Sequence, residues 1–394
     1  MTRRLLLAPV LAALVSSWVA SGSAAQDPFR VASARTGVFF ESYTFDPGLV
    51  FTKITEITVP VGIDLRLGRL GTLALSSGFA RANLSGTDPS LGDQEVSGAL
   101  DTEARLSIPL SRDRFMLLLG GAAPTGIKTV QIPQLVILGP LSSDVIGFSA
   151  SNLGTGGNIG GGFVGAIPAG KMAFGFGATA KLPLSYQPVV SLNRDLKPGF
   201  EVRVRSGIEG PIATRTYLRV AAVVARTGKD RFRVSTGDST QNGVGTRFVG
   251  YASINHRFGK ATVTVYGFDV FRASPQIETT ALGAAVLPKG NLLAGGLRLD
   301  LAAASRTTVS PRFEVRRSSA GSVSVNPTTG GTTVGSSLQK IGQSVRVGAD
   351  IRQVLSPKAA FVLQGGGLFG NVAQVSGDIG FKGFRTSLQL EITP

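Results

Sequence analysis

The sequence predicts an all-β fold, a transmembrane up-and-down antiparallel β-barrel of about sixteen strands, with about fourteen as the alternative count. Three observations carry this expectation. Apolar and polar residues alternate over stretches longer than an ordinary sandwich strand. Short and long connections take turns between those stretches. The composition combines 52 glycines and 16% charged residues with a mean hydropathy of +0.22, and no run after the amino terminus is long and apolar enough for a membrane helix.

Residues 1–25 read as a secretory signal peptide: Arg3 and Arg4, an apolar stretch from Leu5 to Ala20, and the small-residue site Ser23-Ala24-Ala25. The apolar stretch is short for a spanning helix and leads to a cleavage pattern rather than to basic residues. Residues 26–394 then form one barrel domain, exported towards a bacterial outer membrane. The chain has no cysteine, which excludes disulfides, a lipid-modified cysteine and thiolate metal sites. Formal charge falls from +16 to +14 on removal of the signal, which carries two arginines and no acids.

The expected strands follow in order. A first runs over Arg35–Phe45. A second, Lys53–Gly68, sets Ile57, Val59, Val61, Ile63 and Leu65 against Thr58, Gly62, Asp64 and Arg66. Glu95–Leu110 alternates without a break, with Val96, Ala104, Leu106 and Ile108 on one face and Glu95, Asp101, Glu103 and Arg105 on the other. The seventh strand spans Met172–Ser185, and the eighth sets Phe200, Val202 and Val204 against Glu201, Arg203 and Arg205. Later ones repeat the design around Arg298 and Asp300, Arg346 to Arg352, and Phe384–Ile392.

Tight turns are expected near Gly68-Arg69, Ser111-Arg112-Asp113, Ala169-Gly170, Gly210-Pro211, Gly259-Lys260, Ala303-Ala304-Ser305 and Ser356-Pro357-Lys358. Long connections are expected at Thr125–Gly157, Thr227–Gly245, Ala273–Gly290 and Ser318–Ser337. Both termini fall on the short-turn side, which requires an even number of strands, and closure removes the sheet edges that a bilayer does not tolerate. A secreted solenoid or sandwich is the competing architecture, and the absence of a fixed-period repeat counts against it.

The chain resembles Gram-negative outer-membrane barrels of the porin and transporter kind over nearly all its mature length. The stretch Leu117–Gly126 (LLLGGAAPTG), followed by a long loop and Leu153-Gly154-Thr155-Gly156-Gly157, is similar to barrels of the phenol-pathway and hydrophobic-compound transporters. The resemblance implies a transport function and the outer-membrane insertion machinery as a partner. The chain departs from the pattern in ending Ile392-Thr393-Pro394 rather than on an aromatic residue. Its only tryptophan, Trp18, lies in the signal, so interfacial girdles fall to residues such as Phe115, Phe200, Phe248, Phe258 and Phe313.

Motifs for chemistry are sparse. Gly165–Lys171 fits the first seven positions of a phosphate loop, but Met172 stands where Ser or Thr should hold magnesium, and an alternating strand follows instead of a helix. His256 is the only histidine, and Ser253, the nearest serine, falls on the opposite face of its strand. No enzyme activity, cofactor or protein-built metal site is expected.

The polar phase is more informative. It carries Arg66, Arg105, Arg203, Arg205, Arg215, Arg219, Arg298, Arg312, Arg316, Arg346, Arg352 and Arg385, with Asp64, Asp101, Glu103, Glu201, Asp300, Glu314, Asp350 and Glu391. Cross-bracing of a lumen wall is the plain reading of that mixture. Twelve bases against eight acids leave a positive residue, which favours anions. The bases are spread through strands without an aromatic-interleaved platform, so nucleic acid is not an expected partner.

The connection Thr125–Gly157 is unusually apolar, with Ile132, Leu135, Val136, Ile137, Leu138 and Phe148 among its residues. Three roles stay open at this stage: a constriction folded into the barrel, a cap that collects hydrophobic solutes, or a hairpin that extends the wall. The resulting expectation is a bilayer-embedded channel or transporter for passive passage of small solutes, anionic or hydrophobic. The alternative is a structural or surface-interaction barrel that transports nothing.

Overall fold

The structure, a computed structural model, describes residues 30–86, 92–110, 114–151, 153–190, 195–233, 239–243, 245–273, 276–280, 283–287, 290–325, 332–374 and 377–393. The expected signal at residues 1–25 and the turn expected at Ser111-Arg112-Asp113 lie outside the described residues.

Alternation sends successive side chains to opposite faces, so the patterned stretches fold as strands. Seventeen hydrogen-bonded segments form one antiparallel sheet, and they make sixteen staves because two of them share one edge of a single neighbour. The staves are β1 (Arg30–Phe45), β2 (Lys53–Arg66), β3 (Thr72–Ser85), β4 (Gln94–Ala99 and Thr102–Leu110), β5 (Phe115–Ala123), β6 (Asn158–Ala169), β7 (Met172–Pro183) and β8 (Glu201–Ala213). They continue as β9 (Thr216–Thr227), β10 (Thr246–Phe258), β11 (Ala261–Arg272), β12 (Gly290–Ala304), β13 (Thr307–Val325), β14 (Thr332–Ser356), β15 (Ala359–Gln374) and β16 (Gly377–Ile392). Each pairs with the one before it, and β16 pairs back onto β1 from Ala34–Ile392 to Phe45–Phe381, closing the barrel. Both ends of the barrel chain, Arg30 beside Arg66 and Ile392 beside Ala359, lie on the short-turn side.

The structure corrects four expectations. β1 begins at Arg30, five residues early. Gly210-Pro211 is not a turn: β8 runs through it with a register shift between Pro211 and Ala213, and the chain reverses at Thr214-Arg215. Glycine and proline mark a bulge as readily as a turn. Ser318–Ser337 is mostly ladder, since β13 and β14 stay paired out to Val325 and Thr332.

The fourth correction concerns Glu95–Leu110. Phe79 pairs with Ala99 and Ser76 with Glu103, so two residues of β3, Ser77 and Gly78, stand against three of β4: Leu100, Asp101 and Thr102. A bulge of one residue exchanges the faces on either side of it. Glu103 and Arg105 face inward below the bulge. Above it Val96 faces inward, 3% exposed, while Glu95 faces outward and pairs with Arg81 at 2.7 Å.

Because paired residues share a face, the ladders trace one surface round the barrel. The outward phase is apolar and exposed: Val61, Phe163, Val204, Val220, Ile254, Val265, Leu297, Val347, Leu363 and Leu388 stand on ten of the staves. The inward phase holds the polar residues and, at the long-loop end, an apolar core. There Tyr43, Ile54, Ala80, Ala82, Leu84, Val96, Leu368 and Phe381 of the wall enclose the connection between β5 and β6.

Candidate functional site

The connection after β5 folds into the barrel, and its buried part packs inside the wall. It forms a 3₁₀ turn over Ile132–Gln134 and a short helix, α1 (Leu135–Leu141), where Pro140 occupies the last turn. Ile137, Leu141, Val145, Ile146 and Phe148 are buried in the interior core, and Phe148 meets the Tyr43 ring edge to face at 5.1 Å. Val136 and Leu138 pack partly against this core, while Ile132 and Leu135 remain exposed.

Burying a loop leaves its backbone polar groups to be satisfied, and here wall charges do this. Arg316 of β13 donates to the Asp144 carbonyl at 3.1 Å, Arg346 of β14 to Ile146 at 2.8 Å, and Arg385 of β16 to Gly147 at 2.5 Å. On the opposite polarity, Glu41 of β1 accepts the Ser149 amide at 2.7 Å and Glu56 of β2 accepts the Ala150 amide at 2.8 Å. Ser344 adds a bond to the Val145 carbonyl at 2.7 Å. The segment 144–150 is thus held by its carbonyls from β13, β14 and β16 and by its amides from β1 and β2. Gly147, at φ +66°, takes a left-handed conformation that other residues rarely adopt, and a Cβ there would also displace the Arg316 guanidinium.

The two ends of the loop meet at the β4 bulge. Asp101 accepts the Gly126 amide at 2.9 Å, the Thr155 amide at 2.7 Å and the Thr155 hydroxyl at 2.8 Å. Thr125 donates to the Leu100 carbonyl and accepts from the Thr102 amide, and Ile127 donates to Leu153 across the neck at 3.1 Å. Tyr186, from the connection after β7, packs against Gly156. Burial raises its phenol pKa, and the charges of Asp230 and Asp101 raise it further.

The other polar-phase residues divide into two regions. Round β12 to β16 the charges are matched: Arg298 with Asp300 at 2.7 Å and with Asp350 at 3.7 Å, Arg312 with Asp350 at 3.5 Å, and Arg352 with Glu391 at 3.1 Å. Glu314 receives Arg316 at 2.8 Å and Arg346 at 3.9 Å, and Arg385 is paired with the fully buried Glu41. Arg219 on β9 pairs with Glu209 on β8 at 2.6 Å.

The second region runs from β1 to β8. One cavity of about 470 Å³ is lined from all eight of these staves, which is possible only on the concave side of the sheet. Its charged lining comprises Asp64, Glu103, Arg105, Glu201, Arg203 and Arg205, together with Arg35 and Lys181, which the sequence reading did not single out. Glu201 is engaged by Arg203 at 2.6 Å. Among the described residues Arg35, Arg105, Lys181 and Arg205 have no carboxylate within 4.0 Å, and with Arg203 these bases outnumber Asp64, Glu103 and Glu201 in the lining by five to three, which leaves the cavity positive. A second cavity of about 310 Å³ shares Glu103 and Lys181 with it and reaches Asp101 and Thr155 at the loop neck.

Two candidates fall elsewhere. Arg215 sits in the turn between β8 and β9 rather than on a strand face, and Arg66 lies at the end of β2. Gly170-Lys171 is the hairpin turn between β6 and β7, and a strand follows it. His256 faces outward beside the short turn with Nδ1 2.8 Å from the Thr216 hydroxyl, while Ser253 is buried on the inward face.

No protein-family model matches the chain, and no curated protein matches it. Among solved structures it is similar to a Pseudomonas aeruginosa FadL homologue, at 11% identity over 92% of this chain and 90% of that one, with a TM-score of 0.47. It is also similar to a deletion mutant of TodX, a monoaromatic hydrocarbon channel, at 10% identity over 94% of this chain and 91% of that one, with a TM-score of 0.45. OmpT, an outer-membrane protein of Vibrio cholerae, is similar at 11% identity over 94% of this chain and 99% of that one, with a TM-score of 0.41. The chain is a sixteen-stranded closed antiparallel barrel, and these likenesses mark out no family for it.

Proposed function

We propose that the chain is an outer-membrane channel for passive passage of small solutes, with the inward loop between β5 and β6 as its constriction. One observation carries the reading: the loop crosses the interior to reach β13, β14 and β16, yet leaves a cationic cavity along β1 to β8. The outer surface supports a bilayer setting. Phe248 and Phe258 are exposed on the outward face near opposite ends of β10. Ten residues of strand between them span roughly 34 Å, and at a tilt of about 40° this is about 26 Å of height, which matches an outer-membrane apolar band. Export by the amino-terminal signal, insertion by the assembly machinery of that membrane and the absence of a chemical step belong to the same reading.

The test is current through single barrels in a planar bilayer. A pore gives steady steps with a reversal potential on the anion side in a salt gradient, because its uncompensated interior charge is positive. Cation preference overturns the assignment of the lining. A structural or surface-binding barrel is the second reading, favoured by the apolar core that fills one side of the interior. Silence from a barrel whose closure is verified supports that reading instead.

A further inference from the structure

We infer that the cavity along β1 to β8 is a binding site for a small organic carboxylate with a flat body. The inference deepens the channel reading and rests on it for the route by which the ligand arrives. One register row crosses seven staves: Asp64 to Ala74, Ala74 to Arg105, Arg105 to Gly120, Gly120 to Gly160, Gly160 to Lys181, and Lys181 to Glu201. Paired residues share a face, so Arg105 and Lys181 project into the same cavity from either margin of a floor made by two glycines.

Three strand spacings separate the two cations, about 14 Å along the wall, and nothing but backbone lies between them in that row. The adjoining inward positions on the same two staves are Ala122 and Asn158 on one side and Leu118 and Gly162 on the other, so the low floor is one row wide with a small residue beside each glycine. Neither glycine has room for a side chain: a Cβ would lie 2.6 Å from the Ala104 carbonyl at Gly120 and 2.5 Å from the Ala180 carbonyl at Gly160.

The chemistry follows from that shape. Two cations, neither with a carboxylate within 4.0 Å among the described residues, flank the floor and offer charge-assisted hydrogen bonds to an anionic group at its margin, and Arg105 adds a planar fork suited to a carboxylate. The glycine row, bordered by the apolar Leu118 and by Ala122, accepts the flat face of an apolar body. The volume lies within the range of small-molecule sites. Asp64, Glu103 and Glu201 line the same cavity and repel a second negative group, so a monoanion fits better than a dianion.

Benzoate and benzamide are suitable probes, being of one shape and differing in charge. Added to folded barrels carrying a chloride current, benzoate is expected to interrupt the current in a concentration-dependent way, and benzamide at equal concentration is not. The double variant R105Q/K181Q, folded as judged by its heat-modifiable gel mobility, is expected to need at least tenfold more benzoate for half block. Equal block by benzamide, or an unchanged benzoate response in the double variant, overturns the site. A barrel that carries no current but binds benzoate calorimetrically, and loses this in R105Q/K181Q, retains the site and overturns the channel. Silence without benzoate binding overturns both.

Discussion

Asp101 and Thr155 lie 54 positions apart and meet through two hydrogen bonds, one to the threonine amide at 2.7 Å and one to its hydroxyl at 2.8 Å. With the Gly126 amide on its other oxygen, one carboxylate ties together both ends of the inward loop. Removing it strands three donors at a half-buried place, each worth about 1–3 kcal/mol when left unpaired. Asp101→Ala is expected to release the neck, raising single-channel conductance and current noise while the barrel stays closed. Asp101→Asn retains one acceptor oxygen and is expected to fall between. Equal, unchanged currents in both variants would show that the neck does not limit passage.

The bulge that places Asp101 has its own test, and the lack of any cysteine in the chain makes it clean. Glu95→Cys, on the outer face, is expected to react with a polar maleimide. Val96→Cys, buried inside against the loop, is expected to be protected. An uninterrupted strand in phase with Glu103 would give the opposite result, with position 95 inside and position 96 outside.

That bulge also shows how much a sequence discloses here. The sixteen staves and their polar faces were legible because alternation is a local signal, repeated in each strand. The break at Leu100–Thr102 was hidden because two inversions cancel. Below it, polar side chains face the interior and apolar ones face outward. Above it the interior is apolar, where Val96 meets the loop, and the outer face carries Glu95 and Ser97. The chain slips by one residue where the surroundings exchange polarity, so the written pattern runs on undisturbed. The loop's apolar content signalled burial, but its contacts with Arg316, Arg346 and Arg385 join residues 172 to 238 positions apart. No spacing rule encodes these. Those three arginines were counted towards anion preference, and the structure engages them with Asp144, Ile146 and Gly147. Lys181 escapes notice because a lone lysine in the Gly- and Ala-rich β7 raises no pattern, although its register sets it across the two-glycine floor from Arg105.

Arg385 holds Glu41, which is fully buried, and the Gly147 carbonyl at once. Arg385→Gln leaves that carboxylate without its cation, a loss of about 3–5 kcal/mol when a buried pair is broken from one side. The double variant E41Q/R385Q removes the stranded charge and is expected to recover most of the loss. Urea unfolding midpoints of the three proteins in detergent provide the comparison. Additive destabilisation in the double variant would mean that the two groups are not coupled.

Ile137 offers a way to undock the loop without touching a wall charge. Its side chain is completely buried in the interior core. Ile137→Asn forfeits that apolar contact, about 2–5 kcal/mol for a large buried aliphatic, and places an amide where the surrounding residues are apolar. The sixteen-stranded ladder needs none of this, since its hydrogen bonds run from stave to stave. The variant is therefore expected to keep the heat-modifiable mobility of a closed barrel while its loop becomes sensitive to protease and its conductance rises. Ion preference should move little, because Arg105, Lys181 and Arg205 line the cavity and stand outside the apolar core that holds Ile137. A folded I137N barrel with unchanged conductance would show that the loop is not the constriction, and that the narrowest passage lies among the charges of the wall.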